Sequence, residues 1–442
     1  MIFIFICSVL VGSVGAMDME EEDGSDLLPI DFSDLHAVSK TFHWLLTLFF
    51  LLIIPSISTI LVFAGKHATA SVLQVISAIY ATLEAIILRF PDRDGYENVT
   101  SRGTAWFLAF FTVFTAFVGS LTSGTHIFLD NENKSLSKWA SRLSEKFLVV
   151  LHKILSILAT VTGWVKVCMA VVAMFGFCYG KSTGQCIAHG IMGSSFVLYG
   201  FYYTVLLIIP WIRNGTNSKQ SPEMFDSIII TVWGFINTWT EHRWGKEPWN
   251  MGDYQHTSMG IVWWSMGLLG IYLSRGGRRS FIPAVVLMFT GYSMSEHTQH
   301  LAVSTKVHSM FGLMLMSGGL TRIIEIGFLL KDERSVPNKI LSFQYFPAFL
   351  LIESGILFMG ANEEQLELVT RLGSDHSAYI LVLTSAASLI NLWFLLLLQL
   401  YLKLVGANEL QVDMHGEYTA VHDDFELDDL STHDTNEVPT PV

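Results

Sequence analysis

The chain has 442 residues, 51% hydrophobic and 15% charged, with a mean hydropathy of +0.46. These values exclude disorder as the main state and lie above soluble averages. The net charge of −13 belongs to the ends: removing the acids of Asp18–Asp34 and those after Lys403, 18 of 39, leaves 21 against 26 bases, so no basic face awaits nucleic acid.

Residues 1–16, MIFIFICSVLVGSVGA, read as a signal peptide. The run is apolar, ends in small residues with Val14 and Ala16 at the cleavage positions, and is too short to span. An acidic lumenal segment, 17–41, follows. Apolar runs of spanning length then recur at 42–64, 69–89, 104–128, 146–177, 189–211, 225–240, 257–273, 281–303, 307–330, 340–360 and 378–404. By the ~20-residue rule these are about eleven helices, which predicts an all-α polytopic transmembrane helix bundle. With a lumenal N-terminus, every inward connection is basic: Lys66; Lys134, Lys138, Arg142 and Lys146; Arg213 and Lys219; Arg275, Arg278 and Arg279; Lys331, Arg334 and Lys339. That pattern places the C-terminus in the cytoplasm. The outside loop 361–377 is acidic, and the tail 405–442 reads as a disordered cytoplasmic segment. The expected partner is the lipid bilayer of a secretory-pathway membrane, the endoplasmic reticulum first, with Golgi, vacuole and plasma membrane as alternatives.

Of three sequons, at Asn98, Asn133 and Asn214, only Asn98 falls outside in this topology and is the expected glycosylation site. Cys178 and Cys186 bracket the outside loop CYGKSTGQC. In an oxidising lumen that pair is the expected disulfide.

Residues 36–175 resemble the membrane core of the cytochrome b561 family. The likeness rests on LHAVSKTFHWLLTLFFLLIIPSISTILVFA, VLQVISAIY, and YENVTSRGTAW followed by LHKILSILATVTGW. The resemblance implies two haems b held between helices by four histidines, with electrons passed across the membrane. Carried over residue by residue, His36 matches the first ligand and His152 the fourth. The second position holds no histidine, and His67, one turn earlier, stands in for it. The third position is Ser101, which His189 or His43 would have to replace.

The segment TEHRWGKEPWNMGDYQHTSMGIVWW, with LSRGGRRS and SEHTQH, is similar to a fungal family of multi-pass type III membrane proteins. That family joins a cytochrome b561-like N-terminal half (here 42–177) to a C-terminal bundle (here 178–404), and its activity is unassigned. The residues themselves carry a further reading. Glu241 and His242 close the sixth helix, Asp253 and His256 open the seventh, Glu296, His297 and His300 fall near the end of the eighth, and His308 opens the ninth. Asp253 with His256 and His297 with His300 are i, i+3 pairs, and Glu296 with His300 is i, i+4. Imidazoles with carboxylates suit a transition metal (Zn, Fe or Cu) better than Ca or Mg. A bis-histidine haem and a polar packing network are the alternatives. Arg322 and Glu325, also i, i+3, are expected to pair, and Gly318 and Gly319 to serve helix packing. The function reading is therefore a transmembrane electron-transfer or metal-binding protein, with an electron donor or a metal ion as partner and a transmembrane oxidoreductase as its enzymatic form. A small-ion transporter and a non-catalytic scaffold are the alternatives.

Overall fold

The computed structural model describes residues 37–89, 99–123, 145–178, 183–214, 220–240, 248–249, 251–296, 301–333, 335 and 339–406. The signal peptide, the acidic segment up to His36, Asn98, Glu241, His242, His297, His300 and the acidic tail from residue 407 lie outside them. Among the described residues the chain is helical, with no strand.

A helix stands at each of the expected places. The first, α1, runs Ala37–Leu48, continues through a π-helical segment Phe49–Ile53, and ends as Ile54–Phe63. Then come α2 (His67–Ile87), α3 (Val99–Thr122), α4 (Glu145–Phe175) and α5 (Thr183–Ile208). They are followed by α6 (Pro222–Thr240), α7 (Met251–Leu273), α8 (Ile282–Ser295) and α9 (Ala302–Ile324), the last prolonged by a π-helical segment Glu325–Leu329. The chain closes with α10 (Tyr345–Met359), α11 (Glu363–Arg371) and α12 (His376–Leu404).

Eight helices among the described residues are long and apolar enough to cross a membrane. Those that fall short are α6 and α7, whose first turns hold Glu223 and Asp253, the 14-residue α8, and the 9-residue α11. Two expectations are revised. The helix predicted over 281–303 stops at Ser295: Glu296 is an exposed C-cap at φ −90°, ψ 0°, and Leu301 is extended. His300, the expected i, i+4 partner of Glu296, lies outside the described residues. The loop at 361–377 contains α11, because Asn362 caps it by accepting the Glu364 and Gln365 amides and Leu366 and Val369 bury one stripe.

Two assemblies result. Helices α1 to α4 close on one another as a four-helix bundle. Helices α6, α7, α8, α9, α10 and α5 pack in that order, with α10 buried over nearly its whole length. Helix α12 bridges the two, touching α10 and α1, and Trp393 donates to the Ser56 hydroxyl at 3.2 Å. Small residues permit these contacts. A methyl added at Gly163 of α4 would overlap the Leu51 carbonyl in the π-helical segment of α1. Gly193 and Gly355 bring the α5 and α10 backbones together, and Gly319 seats α9 on the Ala284 carbonyl. Outward faces are apolar and exposed, as at Phe107, Phe110 and Phe114 of α3 and Ile229, Val232 and Phe235 of α6, which is the pattern lipid requires.

The contacts sort the helix ends into two levels. One level holds the α1–α2 turn with Lys66; the other holds Cys178 and Cys186, bonded to each other with Cα atoms 5.5 Å apart. We call them the Lys66 end and the disulfide end.

Candidate functional site

Among the described residues four polar clusters are buried, one near each end of each assembly. In the first bundle, at the Lys66 end, His67 and His152 face each other with Nδ1 atoms 3.1 Å apart. His152 is fully buried, and its Nε2 lies 3.0 Å from the Gln74 amide. Gln74 Nε2 donates to Ser156 Oγ at 3.0 Å, and Ser156 donates to the His152 carbonyl at 2.7 Å. Gln74 N–H donates to Ser156, and two tautomers of His152 complete the chain: Nε2–H donating to Gln74 Oε1 with Nδ1 accepting from His67, or Nδ1–H donating to His67 with Nε2 accepting from Gln74.

This pair does not fit a haem. Two axial imidazoles need nitrogens about 4 Å apart, one metal bond of about 2 Å on each side, with a flat macrocycle between. Here the nitrogens share a hydrogen bond, and the second His152 nitrogen is held by Gln74. Gly119 fills the remaining side so closely that a methyl there would sit 2.5 Å from Gln74 Oε1 and 2.9 Å from His152 Nε2. Of the other expected ligands, His36 lies outside the described residues, and His189 is not in this bundle at all.

At the disulfide end of the same bundle, Glu84 is buried with Lys166 Nζ at 3.3 Å and His43 Nε2 at 3.4 Å. His43, read from sequence as a possible stand-in ligand, is thus part of an intramembrane ion cluster. Such groups are costly in lipid and need partners.

In the second assembly the histidine cluster is partly in view. His189 of α5 and His308 of α9 are 8% and 2% exposed, with ring centroids 5.8 Å apart at 83°. Phe358 of α10 stacks on His189 at 4.5 Å. Each ring donates Nδ1–H to the carbonyl four residues earlier, His189 to Gln185 at 2.8 Å and His308 to Ser304 at 2.9 Å. A carbonyl only accepts, so the proton is on Nδ1 and the lone pair of the neutral ring is on Nε2. Asp253 and His256 lie half-buried in the first two turns of α7, and the His256 carbonyl accepts from Asn237 at 3.1 Å. Glu296 is exposed past the end of α8. Among the described residues no three His, Cys, Asp or Glu side chains come together as a metal set. Next to the pair, Asn362 donates to Cys186 Sγ at 3.1 Å, and the Cys178 amide donates to Glu364. The disulfide is thereby tied to the α10–α11 turn.

At the Lys66 end of this assembly lies a network that sequence reasoning saw only in part. Arg322 meets Glu325 at 2.6 Å, as the i, i+3 spacing predicts. Both also join residues far away in the chain. Glu223 Oε1 accepts from Arg322 and from Arg279, each at 2.8 Å, and Gln344 donates to Glu325 at 3.1 Å. Tyr203, whose ring lies under Arg322 at 4.6 Å, donates to Asp226 at 2.9 Å. The signal in the sequence was the presence of Glu223, Asp226 and Arg322 in apolar helices; their mutual contact was not readable.

Comparison with known proteins agrees with the membrane architecture. The family model described as "Protein YTP1-like, C-terminal" matches residues 162–402. The chain is 53% identical over 435 residues to Protein YTP1 of Saccharomyces cerevisiae, covering 96% of this chain and 93% of that protein. It is 28% identical over 262 residues to an uncharacterized membrane protein of Schizosaccharomyces pombe, covering 48% of this chain and 50% of the relative. A second uncharacterized membrane protein of Saccharomyces cerevisiae is 25% identical over 171 residues, 33% of this chain and 27% of the relative. No solved structure matches.

Proposed function

The chain belongs to the YTP1-like family of membrane proteins, and we propose that it binds a transition-metal ion through His189 and His308. One observation carries this reading: both buried imidazoles are locked by Nδ1–H bonds to backbone carbonyls, at 2.8 and 2.9 Å. That outer hydrogen bond is what metal-ligating histidines use to fix tautomer and ring orientation. The spacing agrees. Two imidazoles on one ion, with metal–nitrogen bonds of ~2.0–2.1 Å, have centroids roughly 5–6 Å apart, against 5.8 Å here. Neutral imidazoles select Zn, Fe or Cu(II) over Ca or Mg. Two imidazoles are half of a tetrahedral set; His297 and His300, near His308 in the chain, are the residues proposed to complete it.

The accompanying topology puts the disulfide end in the lumen, where a disulfide persists, and the basic connections in the cytoplasm. A tag at Val442 should then be digested by protease added to sealed microsomes; protection would reverse the orientation.

The binding test is equilibrium dialysis of the purified full chain against Zn(II). His189→Ala and His308→Ala should each weaken binding by more than about 100-fold, since loss of an outer-shell partner alone costs 10–100-fold. Unchanged affinity in both variants, with unchanged elution from a sizing column, contradicts the reading. A second reading, transport of a small ion, is favoured by the ionisable side chains buried in both assemblies.

A further inference from the structure

One face of helix α2 is polar. His67, Ser71, Gln74, Ser77 and Glu84 recur at helical spacing, and all but His67 are buried. From His67 to Glu84 the face runs ~25 Å at 1.5 Å per residue, close to the ~30 Å hydrocarbon core. The His67–His152 pair thus stands near one end of the first bundle and the Glu84–Lys166–His43 cluster near the other.

Between them is a cavity that draws on all four helices. Its polar lining is Ser58, Gln74, Ser77, Thr112, Thr115 and Ser156. It leaves ≈ 10 Å³ for the centre of a water molecule, about what one buried water needs. Thr112, Thr115 and Ser156 donate their hydroxyl protons to carbonyls four residues earlier, so their oxygens are left as acceptors. Ser77 Oγ is buried there with no hydrogen-bond partner among the described residues. A ring of acceptor oxygens beside an unsatisfied hydroxyl is a seat for water or hydronium.

One turn further toward Glu84 the lining changes. Leu51, Ala81, Ala85, Ala105, Leu108 and Ala109, from α1, α2 and α3, form a buried apolar cluster with Tyr80 packed against it. Leu51 lies in the π-helical segment of α1, and such single-turn π insertions are frequent at functional positions. A dry apolar constriction between two polar reaches is how pores gate by dewetting.

We propose that the first bundle is a gated proton path, with His67 and His152 as its station at the Lys66 end, a one-water cavity in the middle, the Leu51–Leu108 cluster as the gate, and Glu84 with Lys166 and His43 as the far station. The groups facing the first station are Gln74, Ser156 and Lys153, whose ammonium lies over Phe63 at 5.4 Å. Those at the far station are Lys166 and His43. A proton given by His152 Nε2 to Gln74 Oε1 is matched by one leaving Gln74 Nε2 for Ser156 Oγ, Ser156 releases its own hydroxyl proton to the cavity water, and the imidic acid left at Gln74 returns to the amide by moving its proton from Oε1 to Nε2. When the cluster is wetted the proton passes on to Glu84. No electron moves, and the driving force is the proton gradient or the membrane potential. The inference stands apart from the metal site, which uses none of these residues.

The test uses the full chain in sealed phosphatidylcholine vesicles, with a pH-sensitive dye inside and a potassium diffusion potential set by valinomycin. Removing the gate should open the path: Leu51→Ala and Leu108→Ala should raise proton influx about tenfold over the unaltered protein. Adding Ser77→Leu to either variant, which fills the cavity, should return influx to the starting level. Rubidium influx, measured without valinomycin, should not change. The two leucine variants are separate arms, so misfolding of one leaves the other, and the Ser77→Leu single variant should lower any influx the unaltered protein shows over empty vesicles. Influx equal to that of the unaltered protein in a folded gate variant, insensitivity to Ser77→Leu, or rubidium entering with the protons each overturns the proposal.

Discussion

The two assemblies bury polar groups in opposite ways. In the first, hydroxyls, an amide and two histidines run along the interior of four helices, and the apolar cluster is small. In the second, the interior is a large apolar core around Phe311, Leu351, Ile352 and Leu357, with polar clusters at its two ends and only isolated pairs such as Glu353 with Thr384 between them among the described residues. Histidines gather at one end and an Arg–Glu network at the other. Lipid offers no hydrogen bonds, so each polar group must be satisfied by another. The first assembly thus carries polar groups along its interior on either side of an apolar cluster, and the second sets its polar groups against a large apolar core.

The comparison can be broken most severely at Gly163. Its hydrogen lies against the Leu51 carbonyl, so Gly163→Leu must part α4 from α1. Overpacking costs 1–3 kcal/mol, occasionally more; with backbone as the obstacle, the variant is expected to yield no folded monomer on a sizing column. A variant that elutes and melts as the unaltered protein does would refute the packing of the first bundle.

Glu223 comes next, in the second assembly. It accepts from both Arg279 and Arg322. Removing one partner of a buried pair costs about 3–5 kcal/mol, so Glu223→Ala should lower the thermal midpoint in detergent far more than a change at exposed Glu296. Equal midpoints would mean the network is not buried in the working protein.

A smaller effect is expected at the disulfide. Cys178 and Cys186 are 8 residues apart, and closing so short a loop is worth about 2–3 kcal/mol by chain entropy. Cys178→Ser should lower the midpoint accordingly and leave metal binding intact. Loss of metal binding would mean that the bridge positions His189, three residues beyond Cys186. The mildest test is Thr384→Val, which deletes the 2.8 Å hydrogen bond to the buried Glu353 carboxylate at a cost of about 1–3 kcal/mol. A stabilised variant would contradict that contact.

Much of the fold could be read from apolar periodicity and length, because a chain in lipid must solve its backbone hydrogen bonds within each helix. The i, i+3 pairing of Arg322 with Glu325 and the packing role of Gly319 were readable for the same local reason. What could not be read is whatever depends on partners distant in the chain. Glu84 meets Lys166 across 82 residues, Glu223 meets Arg322 across 99, and His189 meets His308 across 119. His189 was therefore offered as a stand-in for the ligand missing at Ser101, which its place in α5 does not allow, and His43 was read without its ion cluster. The π-helical segments were also hidden, since an insertion of one residue in the hydrogen-bond ladder leaves no mark in hydropathy. The end of α8 was misjudged because hydropathy does not register the C-cap conformation that Glu296 adopts after Ser295.

The central claim, a metal held by His189 and His308, is tested most directly by X-ray absorption at the zinc edge on the loaded full chain. The account predicts a nitrogen shell at ~2.0–2.1 Å with the outer scattering of at least two imidazoles, and its loss in the His189→Ala, His308→Ala double variant. The same imidazole signal persisting in that double variant would contradict it.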